Sequence, residues 1–331
     1  MIFTIFLHIG AGKTASSAIQ KFLNLNAAEF ESAGIFVPDN SMRGEENQRG
    51  QHVSYFEWIL EDPGSAAARL QDDIQRITAE KPDCHSIVLS AENLSNPHGY
   101  PALFKELAEL YEIRIIFYVR RQDDYFISAW QQWYCKRDSD FNRWTELEWI
   151  KANWQLVCMR WAKVVPLNRM RVRVYETISM ANGGILADFA DALQYPDPVA
   201  LHQPALLENP SLCDAVTELA TGKRSLFHDI HDNNLYEMIL DLTGTKYVKR
   251  KRETCVSIED RCKLIASYRE CNEWLCQTFG LAENADLLFP DIRQQNFREI
   301  TAEEIRAEKE EIILALISSL YSRMQAISQR A

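Results

Sequence analysis

Lys13, Thr14, Ser16 and Ser17 fall within a single stretch, His8-Ile9-Gly10-Ala11-Gly12-Lys13-Thr14-Ala15-Ser16-Ser17. A full positive charge, three hydroxyls and two glycines at that spacing suit an anion. Glycine lets the backbone turn and approach a ligand closely. A helix starting directly after the loop adds unpaired N–H groups and the positive end of its dipole. Phosphate or sulfate is the group such a loop takes. The nucleotide-triphosphatase version requires GxxxxGK[ST]. Gly12-Lys13-Thr14 fits its second half, but Leu7 stands where the first glycine belongs. The next strands run into Ser90-Ala91-Glu92 and Arg120-Arg121 rather than into the aspartate that holds magnesium in such enzymes. An arginine at a strand tip points to a second negative group on the ligand.

The elements that must position these groups are legible in the apolar pattern. Residues 2–9 read as a buried strand, and helical spacing of Ile19, Phe22 and Leu23 starts a helix from Ser16. Further strands are expected at 34–38, 87–89, 113–119 and 171–175, with helices at 55–60, 66–79, 101–111 and 184–193. Such alternation predicts an α/β fold, a P-loop-type parallel sheet flanked by helices. From about residue 200 the chain reads as helical. One domain over 1–331 is expected, with 200–331 as its mostly helical C-terminal portion. Ser257 with Asp260, and Thr301 with Glu304, have the spacing of helix N-caps. The stripe Ile313, Leu316, Ile317, Leu320 and Met324 is expected to pack on the core, with the surface of a homodimer as the alternative.

The segment HIGAGKTASSAIQ (residues 8–20) resembles the HIGxxKTGTTxLQ loop of sulfotransferases that use 3′-phosphoadenosine 5′-phosphosulfate (PAPS), in particular bacterial carbohydrate-sulfotransferase-like members. Ala15 replaces a glycine, and Ser16-Ser17 replace a threonine pair. A second family motif has an arginine and, eight positions on, a serine that clasp the 3′-phosphate; Arg120 and Ser128 match it, and Asp124 matches its aspartate. Arg121 is then either a second phosphate contact or a surface ion pair. The resemblance implies that Gly12, Lys13, Thr14, Ala15, Ser16, Ser17, Arg120 and Ser128 bind PAPS without a metal, and that Lys13 offsets charge on the departing phosphate. It further implies a catalytic base near the end of the strand before the arginine strand. Glu92 matches that place, and a carboxylate beside an incoming anion has its pKa raised as a base requires. His52, whose ordinary pKa suits proton transfer near neutrality, is the rival. The expected acceptor is a hydroxyl of a carbohydrate or small metabolite.

Other groups have two readings each. The run Lys246, Lys249, Arg250, Lys251 and Arg252 either closes over the cofactor or forms a solvated face. Trp130, Trp133 and Tyr134 either line a sugar cleft or pack inside. His228 and His231 lack a third metal ligand at recognisable spacing.

Composition frames these readings. The 331 residues are 47% hydrophobic and 25% charged, and carry a net charge of −11. That charge argues against general nucleic-acid binding, which relies on neutralising many phosphates. The eight cysteines form no CxxC pair, there is no basic stretch ahead of the first apolar residues, and no apolar run has spanning length. A cytoplasmic protein without a transmembrane segment is expected. Two other functions stay open: a P-loop kinase using Mg-ATP, and a non-catalytic relative that binds nucleotide or glycan.

Overall fold

β1 (Thr4–His8), β2 (Ile35–Phe36), β3 (Ser86–Ser90), β4 (Glu112–Val119) and β5 (Met170–Val174) form a parallel sheet in the order β2-β3-β1-β4-β5. The structure is a computed structural model describing residues 2–137, 140–176, 184–204, 212–244, 246–248 and 253–328. It divides into two compact units: Met1–Arg121 with Asn153–Glu208 and Cys271–Asn284, and Gln122–Ala152 with Asn209–Glu270 and Ala285–Ala331.

The first unit holds the sheet. β1, β3 and β4 are nearly continuous runs of buried apolar residues, the pattern of strands covered on both faces. Phe22 and Leu23, from the helix Ser16–Leu25, meet Ile116, Tyr118 and Phe189 in one core layer. Phe189 comes from the helix Gly184–Ala192. Elsewhere in the unit Phe104 packs against Phe56 and Trp161, and Phe117 meets Trp154 edge to face. Each such fully buried side chain contributes about 1.5–3 kcal/mol of apolar burial.

The expected helix over 101–111 is instead two short ones, Tyr100–Leu103 and Leu107–Leu110. Between them the N–H groups of Phe104 and Lys105 reach back only three residues, to the Pro101 and Ala102 carbonyls. That tightening places Phe104 and Leu107 fully inside.

The second unit is mostly helical, with a small parallel pair β6 (Glu253–Thr254) and β7 (Arg298–Glu299). Ser257 caps the helix Ile258–Ser267 by accepting from the Asp260 N–H at 3.0 Å. Thr301 and Glu304 form the reciprocal pair at the start of the last helix, Ala302–Ser328. Asp123 and Asp124, at the start of the helix Gln122–Gln132, hold the buried Arg261 guanidinium at 2.7 and 2.6 Å. Asp124 therefore has a structural partner in this unit. Trp130 is buried against Phe141 and Trp144, and the Tyr134 ring lies 4.5 Å from that of Trp144. Trp130 and Tyr134 thus build an aromatic core rather than a cleft.

The apolar stripe of the last helix departs from its expected place. Leu316 packs on the core of this unit with Ile305 and Ile312, but Ile313, Ile317, Leu320 and Met324 are exposed. Of the basic run, Lys246 pairs with Glu311 at 3.2 Å, and residues 249–252 lie outside the described residues. Among the described residues no helix is long and apolar enough to cross a membrane, and no three metal-ligating side chains gather.

Candidate active site

All the strands of the sheet run in the same sense, so the loops that follow β1, β3, β4 and β5 leave from one edge. Register places His8 beside Ser90 and Ile116, and Val119 beside Val174. Residues 9–15, Glu92, Arg120 and Glu176 therefore all follow strand C-termini at that edge. Ligands of parallel α/β sheets bind at such edges.

The loop is wound tightly. Lys13 and Ala15 have φ of 68° and 64°, the left-handed region that costs a residue with a Cβ about 1–3 kcal/mol. Gly10 has no room for a side chain: a Cβ there would lie 2.7 Å from both His8 Nε2 and Ser16 Oγ. Thr14 Oγ1 donates to the Ala11 carbonyl at 2.6 Å, and Ser16 Oγ donates to the same oxygen at 3.3 Å. Thr14 and Ser16 thus brace the loop in this structure, while Ser17 is exposed. Ala15 is the N-cap of the helix Ser16–Leu25 and supplies no capping side chain; the first turn also has no acidic residue. Nothing of its own sequence therefore competes for the positive helix end.

Arg120 is braced against the same loop. Its Nη1 donates to the Lys13 carbonyl at 2.8 Å, its Nε lies 3.7 Å from Glu176 Oε1, and the guanidinium stands 5.4 Å from the Tyr175 ring centre. Trp154 Nε1 donates to the Arg120 carbonyl at 2.8 Å. Arg121 is buried rather than on the surface, and its backbone N–H donates to Glu176 Oε1 at 3.0 Å. Ser128 belongs to the second unit, where it lines a cavity of about 80 Å³ with Gln131, Thr217, Asn233 and Tyr236.

Glu92 begins a short 3-10 turn directly after β3. Burial pushes its carboxyl pKa up, opposed by a hydrogen bond from Gln20 and the charge of Lys13. Gln20 Nε2 donates to Glu92 Oε2 at 3.4 Å. Ser95, one turn on, donates to the Gly10 carbonyl at 3.3 Å, and Arg160 Nη2 donates to the Ser95 carbonyl at 2.8 Å. Gln20 was visible in the sequence as the last position of HIGAGKTASSAIQ. Arg160 and Glu176 gave no comparable signal, because their positions depend on contacts remote in the chain.

His52 occupies a different setting from the one expected of a base. It has no exposed surface, and its Nδ1 accepts the Ser90 N–H at 3.1 Å, which leaves the proton on Nε2. His8 Nδ1 and Ser90 Oγ are 2.7 Å apart. Two buried imidazoles thus grip Ser90 beneath the loop. Burial lowers His52 to about 4 and His8 to about 3.

With folded pKa values below the ordinary 6.5, the unfolded chain binds more protons between about pH 4 and 6.5, so stability falls as the pH drops through that window. Going from pH 7 to pH 5 is expected to remove about 2 kcal/mol of unfolding free energy per buried histidine. Urea titrations at the two pH values measure it, and His52→Gln should cut the loss by about half. A wild-type midpoint that does not move would show that these rings are not buried and neutral.

No family model matches the chain. An uncharacterized protein of Archaeoglobus fulgidus is 27% identical over 194 residues, 56% of this chain and 51% of that protein. The chain thus spans about half the length of this curated relative. Similar solved structures include a sulfotransferase from Alicyclobacillus acidocaldarius, with a TM-score of 0.40 and 14% identity over 70% of this chain and 98% of that one. The sulfotransferase domain from the curacin biosynthetic pathway has a TM-score of 0.38 and 14% identity, over 80% and 96% of the two chains. The corresponding domain from the Synechococcus PCC 7002 olefin synthase has a TM-score of 0.38 and 11% identity, over 80% and 94%.

Proposed function

We propose that the chain is a PAPS-dependent sulfotransferase acting on a hydroxyl of a carbohydrate or small metabolite. The observation that carries this reading is the helix start at Ser16: it has no capping side chain and no acidic residue, and it follows a strained loop bearing Lys13, with Arg120 bonded to that loop. Such a centre fits a phosphosulfate, and the resemblance of residues 8–20 to the PAPS loop supports the same group. PAPS, when bound, supplies a sulfonate group on a phosphate leaving group.

The remaining chemistry belongs to the chain. Glu92 takes the proton of the acceptor hydroxyl while the acceptor oxygen forms its bond to sulfur. The sulfur–oxygen bond to the phosphate breaks, and its electron pair stays on the phosphate oxygen. Lys13 and the N–H groups at the helix start stabilise that developing charge. Arg120 takes the 3′-phosphate. Glu92 is preferred to His52 because the His52 ring is fully buried with its Nδ1 held by the Ser90 N–H, whereas Glu92 is only partly buried beside the loop.

Calorimetric titration with 3′,5′-adenosine bisphosphate, beside Mg-ATP, tests the reading. Tight binding of the bisphosphate in the presence of a chelator is the expected result. A preference for Mg-ATP would transfer the site to kinase chemistry and overturn the proposal. Bisphosphate binding without sulfonate transfer to any of a panel of sugars and hydroxylated metabolites would point to the non-catalytic relative.

A further inference from the structure

The last helix, Ala302–Ser328, has two apolar faces. Ile305, Ile312 and Leu316 pack inward with Val216, Ile239 and Tyr247. Ile313, Leu314, Ile317, Leu320, Tyr321 and Met324 lie on the adjoining face, between 40% and 69% exposed. At 3.6 residues per turn they share an arc about a third of the helix wide. Six neighbouring apolar side chains exposed to this extent form one contiguous patch, of the few-hundred-Å² size that on a monomer marks an interaction site.

We propose that this face pairs with the same face of a second copy, the two helices running antiparallel about a two-fold axis between Ser318 and Ser319. The spacing argues for self-pairing. Ile313, Ile317, Leu320 and Met324 follow at steps of four, three and four, which read the same in both directions. In an antiparallel pair Ile313 of one copy meets Met324 of the other, and Ile317 meets Leu320, twice over by symmetry. The alternation of four and three is also the seam along which helices interlock knobs into holes.

Charge selects the orientation. Glu303, Arg306 and Glu310 precede the stripe on the same side of the helix. A parallel pair would set each of them against its own copy, like charge on like, and an antiparallel pair does not. The charges flanking the inward side are already engaged within the chain: Lys309 with Glu218 at 2.9 Å, Glu311 with Lys246 at 3.2 Å and Arg323 with Asp241 at 2.8 Å. A single-helix seam buries less than the ~800 Å² per copy of a standard specific interface, so a weak, reversible dimer is expected. The net charge of −11 opposes association, so added salt should strengthen it.

Sedimentation of the full chain from submicromolar to high-micromolar concentration tests this. The expected result is a rise from 38.3 kDa toward twice that mass, sharper at higher salt. The Ile317→Glu/Leu320→Glu variant, altered only at exposed positions, should keep its circular dichroism and associate at least about 100-fold more weakly. Orientation is read by disulfide trapping in a background where the exposed Cys255 and the half-buried Cys262 are serine. Ile313→Cys with Met324→Cys in one chain should cross-link two copies, whereas either alone should not. A mass of one chain at every concentration, a dimer unaffected by the glutamates, or cross-linking by a single cysteine would overturn the proposal.

Discussion

Glu92→Gln is expected to lower sulfonate transfer by about 10²–10⁴-fold while leaving bisphosphate affinity unchanged, since only the proton acceptor is removed. The glutamine keeps the shape of the side chain and one oxygen for Gln20, whose Nε2 bonds Glu92 Oε2 at 3.4 Å. Burial raises the Glu92 pKa, and a base works only when deprotonated. The wild-type rate should therefore rise with pH through that raised value, and the variant should lose this limb of the profile. Single-turnover rates across pH, beside calorimetry, separate the effect from lost binding. Activity retained at wild-type level in Glu92→Gln would move the base elsewhere. His52→Gln is the informative partner: its ring grips Ser90, so its loss should appear in stability before it appears in turnover.

The sheet was legible because buried parallel strands leave a local record. β1, β3, β4 and β5 are short runs of β-branched and apolar residues bounded by glycine, proline or charge, and each lies within two residues of its expected bounds. The loop was legible because glycine, lysine and hydroxyl residues follow a strand at fixed spacing. Even the unusual Ala15 could be flagged, since a glycine at the matching position of the resembling loop implies positive φ, and Ala15 has φ 64°. The bracing was not legible. That Thr14 and Ser16 both turn to the Ala11 carbonyl, or that Arg120 reaches the Lys13 carbonyl, depends on three-dimensional closure of the loop. His52 shows the same limit: residue type and an intrinsic pKa proposed a base, whereas full burial made a clamp. The stripe on the last helix failed for a related reason. Periodicity shows that a face is apolar but not how many partners a helix has, and here Leu316 faces the core while its neighbour Ile317 does not.

Lys13 carries the other large effect, and its backbone makes the experiment unusually clean. Lys13→Ala is expected to weaken bisphosphate binding and to lower turnover by about 10²–10³-fold, the scale seen when one donor to a developing anion is removed. Alanine keeps a Cβ at φ 68°, so the strain of the loop is unchanged and the loss reports the ammonium alone. Lys13→Gly removes the same charge but releases that strain, and should unfold at a higher denaturant concentration than Lys13→Ala, by about 1 kcal/mol. Equal loss of activity with different stability assigns the effect to charge. If the glycine variant recovers activity over alanine, the loop's shape rather than the ammonium limits transfer, and the role given to Lys13 fails. The strain itself then has a reason: αL conformations at Lys13 and Ala15 turn the chain so that the helix start at Ser16 faces what the loop encloses, and binding an anion there offsets their cost.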